Sequence, residues 1–273
     1  MIRLIGLDLD GTLLTRDKRL TDRNKEALSE AWKRGIEVVP VTGRPRSGIP
    51  REVTELPFIH YTITSNGAVT FDRKAGKAVR ERYMTVPTAI SVLEKARGDD
   101  IIREYFTGGF GFHDEKTREL LRERFGKTPV IGYLRQSRKL VEDFRGSIEE
   151  VREGIENISI MCRSPLKKEE ILGQIRDIRG IRIIYPWPTD LEITSDKADK
   201  GEALLELGRM LGIGRDEIMA MGDGNNDLGL MKAAGLSVAM GNSDPEILQV
   251  SDYVTKDNDH DGVAEAIRQY ALS

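Results

Sequence analysis

The sequence predicts an α/β fold, with a Rossmann-like parallel-sheet core and an inserted α+β cap domain. At both ends of the chain, short apolar runs alternate with amphipathic helical stretches. Strands and helices that alternate in this way form parallel sheets. The middle of the chain lacks this alternation. The whole chain has 273 residues, a length at which proteins usually divide into more than one hydrophobic core.

The N-terminal part predicts a strand–helix–strand unit. Residues 2–7 are an apolar run typical of a buried strand. The apolar residues of 22–34 recur on one helix face, and Thr21 and Gly35 are suited to cap its start and its end. Residues 36–41 are rich in β-branched side chains, which favour a second strand. Such a unit places its two strands in one parallel sheet.

The same alternation returns near the C-terminus. The patterns predict helices over 201–211, 228–234 and 262–272, and strands over 217–221, 236–240 and 253–254. We expect these elements to extend the sheet that the N-terminal unit begins.

The middle of the chain predicts a different architecture. It mixes helices (88–97, 115–125, 166–179) with strands (101–106, 157–162, 181–185). We therefore predict that residues 82–187 form the inserted α+β cap domain, and that residues 1–81 and 188–273 form the α/β core.

Charge and cysteine usage restrict the environment. A formal net charge of −3 gives no general attraction to nucleic acid or to anionic membranes, so an anionic substrate must meet local cations. Cys162 is the one cysteine of the chain, which suits a reducing compartment. No apolar run approaches membrane-spanning length. We expect a cytoplasmic monomer or homodimer without nucleic-acid or membrane partners.

Polar segments directly follow three of the predicted strands. They are Asp8-Leu9-Asp10-Gly11-Thr12, Thr42-Gly43-Arg44 and Gly222-Asp223-Gly224-Asn225-Asn226-Asp227. Because the carboxyl ends of parallel strands lie along one sheet edge, where ligands bind, we expect the three segments to converge.

The acids of these segments favour phosphate chemistry with a hard cation. Asp8, Asp10 and Asp223 offer oxygen ligands, which Mg²⁺ prefers, and a carboxylate can attack phosphorus. Two unit charges 4 Å apart repel by about 4 kcal/mol at an effective dielectric constant of 20, so the approach of two anions requires compensating cations. Mg²⁺ would supply one positive charge. Lys200, at the start of a predicted helix, is the candidate for the second, and Lys197 is the alternative candidate.

These segments resemble the haloacid dehalogenase-like superfamily, specifically its large-cap phosphatases of the Cof type (subfamily IIB). The resemblance is carried by Asp8–Thr12, Thr42–Pro45, Lys200-Gly201, Gly222–Asp227, Ser65–Ala68, Ala239–Asn242 and Asp261–Ala264. Lys200 precedes Gly-x-Ala-Leu, as the family pattern requires, whereas Lys197 does not. The long interval between Thr42 and Lys200 places the cap there.

The resemblance implies roles for the residues of this chain. Asp8 is the expected nucleophile and Asp10 the expected general acid and base. The expected phosphate-binding residues are Thr42, Gly43, Arg44, Asn66, Lys200 and Asn226. The expected ligands of Mg²⁺ are Asp8, Asp10 through its carbonyl, Asp223 and Asp227. The implied activity is hydrolysis of a small phosphorylated metabolite, a sugar phosphate or phosphoglycolate, through an aspartyl-phosphate.

Other interpretations remain open from the sequence. A phosphomutase would release an isomerised sugar phosphate instead of free phosphate. A non-catalytic sensor of phosphorylated metabolites would not need Asp10. Thr42, Asn226 and Asp227 could also serve only as helix caps.

Overall fold

The computed structural model describes residues 1–128 and 130–273. These residues divide into two compact units. The core unit contains Met1–Gly43, Ile49–Glu81 and Asp199–Ser273, and the cap unit contains Arg44–Gly48 and Arg82–Ala198.

The strands of the described residues are β1 (Leu4–Leu7), β2 (Glu37–Pro40), β3 (Tyr61–Thr64), β4 (Val69–Asp72), β5 (Lys77–Glu81), β6 (Ile102–Thr107), β7 (Phe110–His113), β8 (Arg138–Leu140), β9 (Asn157–Met161), β10 (Ile181–Ile184), β11 (Asp190–Ser195), β12 (Ile218–Gly222), β13 (Leu236–Ala239) and β14 (Tyr253–Val254). The α-helices of the same residues are α1 (Asp22–Lys33), α2 (Arg51–Thr54), α3 (Val86–Lys95), α4 (Glu115–Phe125), α5 (Val130–Ser137), α6 (Phe144–Glu149), α7 (Pro165–Ile175), α8 (Lys200–Met210), α9 (Leu228–Ala233), α10 (Pro245–Val250) and α11 (Gly262–Ala266), which continues as a π-helical turn over Ile267–Ala271.

The central sheet of the core unit is parallel, in the order β14-β13-β12-β1-β2. Strand β1 lies between β12 and β2. From β1 the sheet grows towards β2 on one side and towards β12 on the other, so the strand order reverses at β1. The carboxyl ends of β1 and β12 therefore border the crevice where open α/β sheets bind ligands. The predicted α/β fold class, a Rossmann-like core with an inserted α+β cap, is confirmed.

Apolar side chains cover both faces of this sheet. In β1, Ile5 and Leu7 pack with α1 and α11, and Leu4 packs on the opposite face with α8. Gly6 lies on the α8 face, and a Cβ atom there would be 2.4 Å from Leu204 Cδ2, so the helix approaches β1 at its backbone. Thr21 caps α1 as predicted, because its Oγ1 accepts a hydrogen bond from the Asn24 N–H.

The core unit also contains a small antiparallel sheet that the sequence patterns did not predict. Its order is β3-β4-β5, and a parallel bridge between Val41 and Ile63 joins it to the end of β2. This sheet carries the turn Ser65–Gly67 between β3 and β4.

The sheet of the cap unit has the order β10-β11-β9-β6-β7-β8. Helices α3, α6 and α7 belong to this unit, where α3 contacts both of the others. The predicted boundary between residues 187 and 188 falls before β11, whereas the two units divide between Ala198 and Asp199. Strand β11 pairs with β9 and β10 and therefore belongs to the cap. Apolar Leu191 and Ile193 alternate with polar residues there, which is the signal that indicates the strand.

None of the helices formed by the described residues is long and apolar enough to cross a bilayer.

Candidate active site

The two acids that follow β1 and β12 lie at the carboxyl edge of the central sheet. Asp8 directly follows β1, and its N–H donates to the Met221 carbonyl at 3.0 Å, which joins the ends of the two strands. Asp223 directly follows β12. The predicted convergence of the first and third polar segments is therefore present in the structure.

Lys200 supplies positive charge beside the acids at this edge of the central sheet. Its Nζ donates to Asp8 Oδ1 at 2.8 Å and to Asp227 Oδ1 at 2.7 Å, and only 2% of the residue is exposed. It is the first residue of α8, whose N-cap is Asp199. A helix dipole disfavours a cation at this position. The two carboxylates therefore stabilise the buried ammonium group.

Burial and neighbouring charges shift the pKa values of these groups. Burial alone would lower the pKa of Lys200, but the charges of Asp227 and Asp8 raise it above its ordinary value. Burial raises the pKa of Asp8 well above its usual range; Lys200 opposes this shift, and the negative charges of Asp227 and Asp223 add to it. Burial, with the charge of Asp227, raises the pKa of Asp223 to about 7. Negative charge thus exceeds the positive charge of Lys200, and a further cation would stabilise the ionised carboxylates.

Three carboxylates form a group with the geometry of a metal site. Asp8, Asp223 and Asp227 each present one ligand oxygen, and these oxygens lie within 4.8 Å of one another. A set of oxygen donors alone fits Mg²⁺. The carboxylate of Asp10, the fourth predicted ligand, is outside this group, which agrees with its assignment through the carbonyl; that assignment stays a prediction.

Asp227 also shapes the loop that follows β12. Its Oδ2 accepts hydrogen bonds from the N–H groups of Asp223 and Gly224, both at 3.1 Å, while its Oδ1 accepts from Lys200. A Cβ atom at Gly222 would lie 2.6 Å from Asp227 Cβ, so this close packing requires glycine. Asp227 therefore links the position of Lys200 to that of Asp223.

Two further side chains hold Asp223. Thr12 Oγ1 donates to its Oδ1 at 2.9 Å, and Asn242 Nδ2 donates to its Oδ2 at 3.3 Å and to the Gly11 carbonyl at 2.8 Å. Gly11 has a φ of +83°, and a Cβ atom there would be 2.2 Å from Asp223 Oδ2. Asn242 was not among the predicted site residues, although it lies soon after β13 in a segment that resembles the family.

Asp10 is paired with a lysine that the sequence did not indicate. Lys18 Nζ lies 2.7 Å from Asp10 Oδ1, and both side chains are partly exposed. Lys18 has a φ of +63°, a conformation that is uncommon for a residue with a side chain. Lys18 therefore pairs with the Asp10 carboxylate, which stays accessible to water.

Four of the predicted phosphate-binding residues are neighbours in the core unit. The Asn66 N–H donates to the Thr42 carbonyl at 3.1 Å, and Asn226 Nδ2 donates to Asn66 Oδ1 at 3.3 Å. A Cβ atom at Gly43 would lie 3.0 Å from Asn66 Oδ1. The structure therefore brings together the segments that follow β2, β3 and β12.

Arg44, another predicted phosphate-binding residue, belongs to the cap unit. Its guanidinium carbon lies 4.7 Å from the centre of the Tyr133 ring, and its Nη1 donates to the Gly48 carbonyl at 2.8 Å. Its role in phosphate binding stays a prediction.

The chain is similar to known proteins over nearly its whole length. Residues 5–267 match the model of a family described as haloacid dehalogenase-like hydrolase. The chain is 31% identical to phosphatase YwpJ of Bacillus subtilis strain 168, over 98% of this chain and 99% of that protein. It is 28% identical to 5-amino-6-(5-phospho-D-ribitylamino)uracil phosphatase YcsE of the same organism, over 99% of this chain and 96% of that protein.

A solved structure of a haloacid dehalogenase-like hydrolase from B. subtilis superposes with a TM-score of 0.86, at 29% identity, and covers 98% of this chain and 100% of its own. The motifs, the fold and these similarities agree. The chain belongs to the haloacid dehalogenase-like hydrolase family and is a phosphatase of its Cof-type branch.

Proposed function

We propose that this protein is a Mg²⁺-dependent phosphomonoesterase that transfers the phosphoryl group of a small phosphorylated metabolite to Asp8 and then hydrolyses the aspartyl-phosphate. The proposal depends above all on one contact: Lys200 Nζ lies 2.8 Å from Asp8 Oδ1, beside the buried Asp227 and the partly buried Asp223. A carboxylate beside a buried cation can approach a phosphate dianion, which an isolated carboxylate would repel.

In the first step, an oxygen of Asp8 attacks phosphorus, and the bond from phosphorus to the ester oxygen breaks. Lys200 offsets the negative charge that gathers around Asp8, and Asp227 keeps the ammonium group in place. The Thr42-Gly43 segment would hold the transferring phosphoryl group.

Asp10 moves the proton in both steps. It gives a proton to the leaving oxygen and then takes one from the water that attacks the aspartyl-phosphate, which restores Asp8 and releases phosphate. Lys18 Nζ lies 2.7 Å from the Asp10 carboxylate, which is partly exposed and can therefore exchange a proton with solvent. The presence of an acid at position 10 supports turnover, because a sensor that only binds the ligand would not need it.

Asp8 and Asp223 would hold Mg²⁺, with the Asp10 carbonyl as a further ligand and Asp227 in support. The bound ion would supply positive charge to the phosphate oxygens. The raised pKa values of Asp8 and Asp223 support this assignment: burial is their main cause and the negative charge of Asp227 adds to it, so a nearby cation would stabilise the ionised carboxylates.

The proposed substrate is a sugar phosphate or phosphoglycolate, in a cytoplasmic enzyme that is a monomer or homodimer. Similarity to a relative named for a phosphoribityl compound supports including phosphorylated polyols among the candidates.

Phosphate release from a panel of phosphorylated metabolites tests this proposal. We expect Mg²⁺-dependent release of phosphate from at least one sugar phosphate, polyol phosphate or phosphoglycolate. Excess EDTA should abolish release, and added Mg²⁺ should restore it, because the carboxylates and the substrate repel one another without the ion. Isomerised product without free phosphate would indicate a mutase, and full activity in EDTA would refute the metal assignment.

A further inference from the structure

The turn between β3 and β4 has an unusual backbone. Ser65, Asn66 and Gly67 have φ values of 51°, 55° and 90°, so two consecutive residues with side chains adopt the left-handed conformation. Ser65 and Asn66 are also buried, at 0% and 3% exposure. Such conformations persist only where the surrounding structure holds them, and they are concentrated at functional sites.

This turn contacts each of three segments that carry proposed site residues. The Asn66 N–H donates to the Thr42 carbonyl at 3.1 Å, and Asn66 Oδ1 accepts from Asn226 Nδ2 at 3.3 Å. A Cβ atom at Gly67 would lie 2.2 Å from the Asp199 carbonyl oxygen and 2.8 Å from Lys200 N, so the turn also packs directly on the start of α8. A change in its shape would therefore displace Thr42, Lys200 and Asn226 together.

Arg80, on β5, connects the turn to α8. Its Nη1 donates to the Gly67 carbonyl, and its Nε donates at 2.6 Å to Glu206 Oε2, on the helix that begins with Lys200. Only 6% of Arg80 is exposed. A guanidinium group can hold two acceptors at a fixed separation, because its donors lie in one rigid plane.

We propose that Arg80 is a positioning residue for the phosphoryl-transfer reaction. By holding Gly67 and Glu206, it keeps the left-handed turn seated on α8, and the turn sets the relative placement of Thr42, Lys200 and Asn226. This inference rests on the proposed phosphatase function, since placement of these residues matters only if they act on a phosphoryl group.

The first test compares two arginines that both donate to backbone carbonyls. Arg73, after β4, donates to the carbonyls of Ile59 and Thr54 and is the matched control. We expect Arg80→Gln to lower kcat by about ten- to a hundredfold, since misplacement of about 1 Å can cost about a hundredfold in rate. KM should stay within about threefold, and Arg80→Lys should recover part of kcat, because its ammonium group, unlike the amide of glutamine, keeps the positive charge that attracts Glu206.

Arg73→Gln should lower the melting temperature but leave kcat within about twofold of the wild type, because its partners lie outside the site segments. Both proteins would be assayed at a temperature where circular dichroism shows them folded. An unchanged kcat in Arg80→Gln, or equal losses of kcat in Arg80→Gln and Arg73→Gln, would overturn the inference.

The second test separates the shape of the turn from the amide of Asn66. Asn66→Gly keeps easy access to the left-handed conformation, whereas Asn66→Ala does not, and both lose the contact with Asn226. We expect kcat of Asn66→Gly to exceed that of Asn66→Ala several-fold. Equal losses would show that the amide, and not the turn, is what matters, and would contradict the inference.

The wild-type assay distinguishes the two levels of the proposal. A wild-type protein that releases no phosphate from the panel refutes the proposed function itself. An active wild type with a fully active Arg80→Gln variant refutes only the role of Arg80.

Discussion

Replacing Asp8 with asparagine is expected to lower kcat for phosphate release by about 10⁴-fold or more, because the amide cannot act as the nucleophile. The substitution changes shape very little and keeps an oxygen that can accept a hydrogen bond from Lys200 Nζ. Phosphate release under saturating substrate and Mg²⁺ measures the effect.

The same variant should remain folded, because Lys200 keeps the carboxylate of Asp227 as its buried counter-ion. The lost attraction to Lys200 is offset in part, because asparagine removes a buried negative charge that lies beside those of Asp227 and Asp223. Urea unfolding in EDTA measures this. Asp216→Asn, which changes an exposed acid, is the control and should keep full activity. Wild-type kcat in Asp8→Asn would eliminate the proposed mechanism.

Replacing Lys200 with methionine is expected to lower kcat by about 10²- to 10³-fold, the usual effect of removing one preorganised group that stabilises developing charge. It should also lower the free energy of unfolding by about 3 kcal/mol at neutral pH, because Asp8 and Asp227 lose their buried counter-ion. Steady-state kinetics and urea unfolding give the two quantities.

Lys197→Met is the matched control for this prediction. Lys197 is a nearby lysine in the sequence, but it is exposed. Its replacement should leave kcat within about twofold of the wild type and stability within about 0.5 kcal/mol. Similar losses in the two variants would contradict the assignment of Lys200.

The central sheet and the two acids at its edge could be predicted, because short apolar runs indicate the strands and the acids directly follow them. The apolar run before Asp8 and the one before Asp223 predict strands of one parallel sheet, and such a sheet aligns their carboxyl ends. The link between Asp8 and Asp223 through the edge of the sheet was therefore available from the sequence. Lys200 required the family resemblance, since nothing in its local pattern distinguishes a buried lysine from an exposed one.

The remaining contacts depend on packing between residues far apart in the chain. The β3–β5 sheet consists of short strands, and the left-handed conformation of Asn66 depends on its neighbours in the folded protein. In the sequence, Arg80 cannot be distinguished from an ordinary surface arginine, because its two hydrogen-bond acceptors become neighbours only in the folded protein. Lys18 reaches Asp10 only because the loop between them turns back. Patterns of hydrophobicity and residue spacing therefore do not predict such contacts.

Chemical trapping of the intermediate tests the central claim most directly. The Asp10→Asn variant lacks the base that activates water, but p-nitrophenyl phosphate needs no acid for its leaving group, so the aspartyl-phosphate should accumulate. Borohydride reduces an acyl phosphate to an alcohol. Quenching with borohydride followed by peptide mass spectrometry should therefore find homoserine at position 8, dependent on substrate and Mg²⁺. Release of p-nitrophenol with an unmodified Asp8, or homoserine at another acid, would contradict the mechanism.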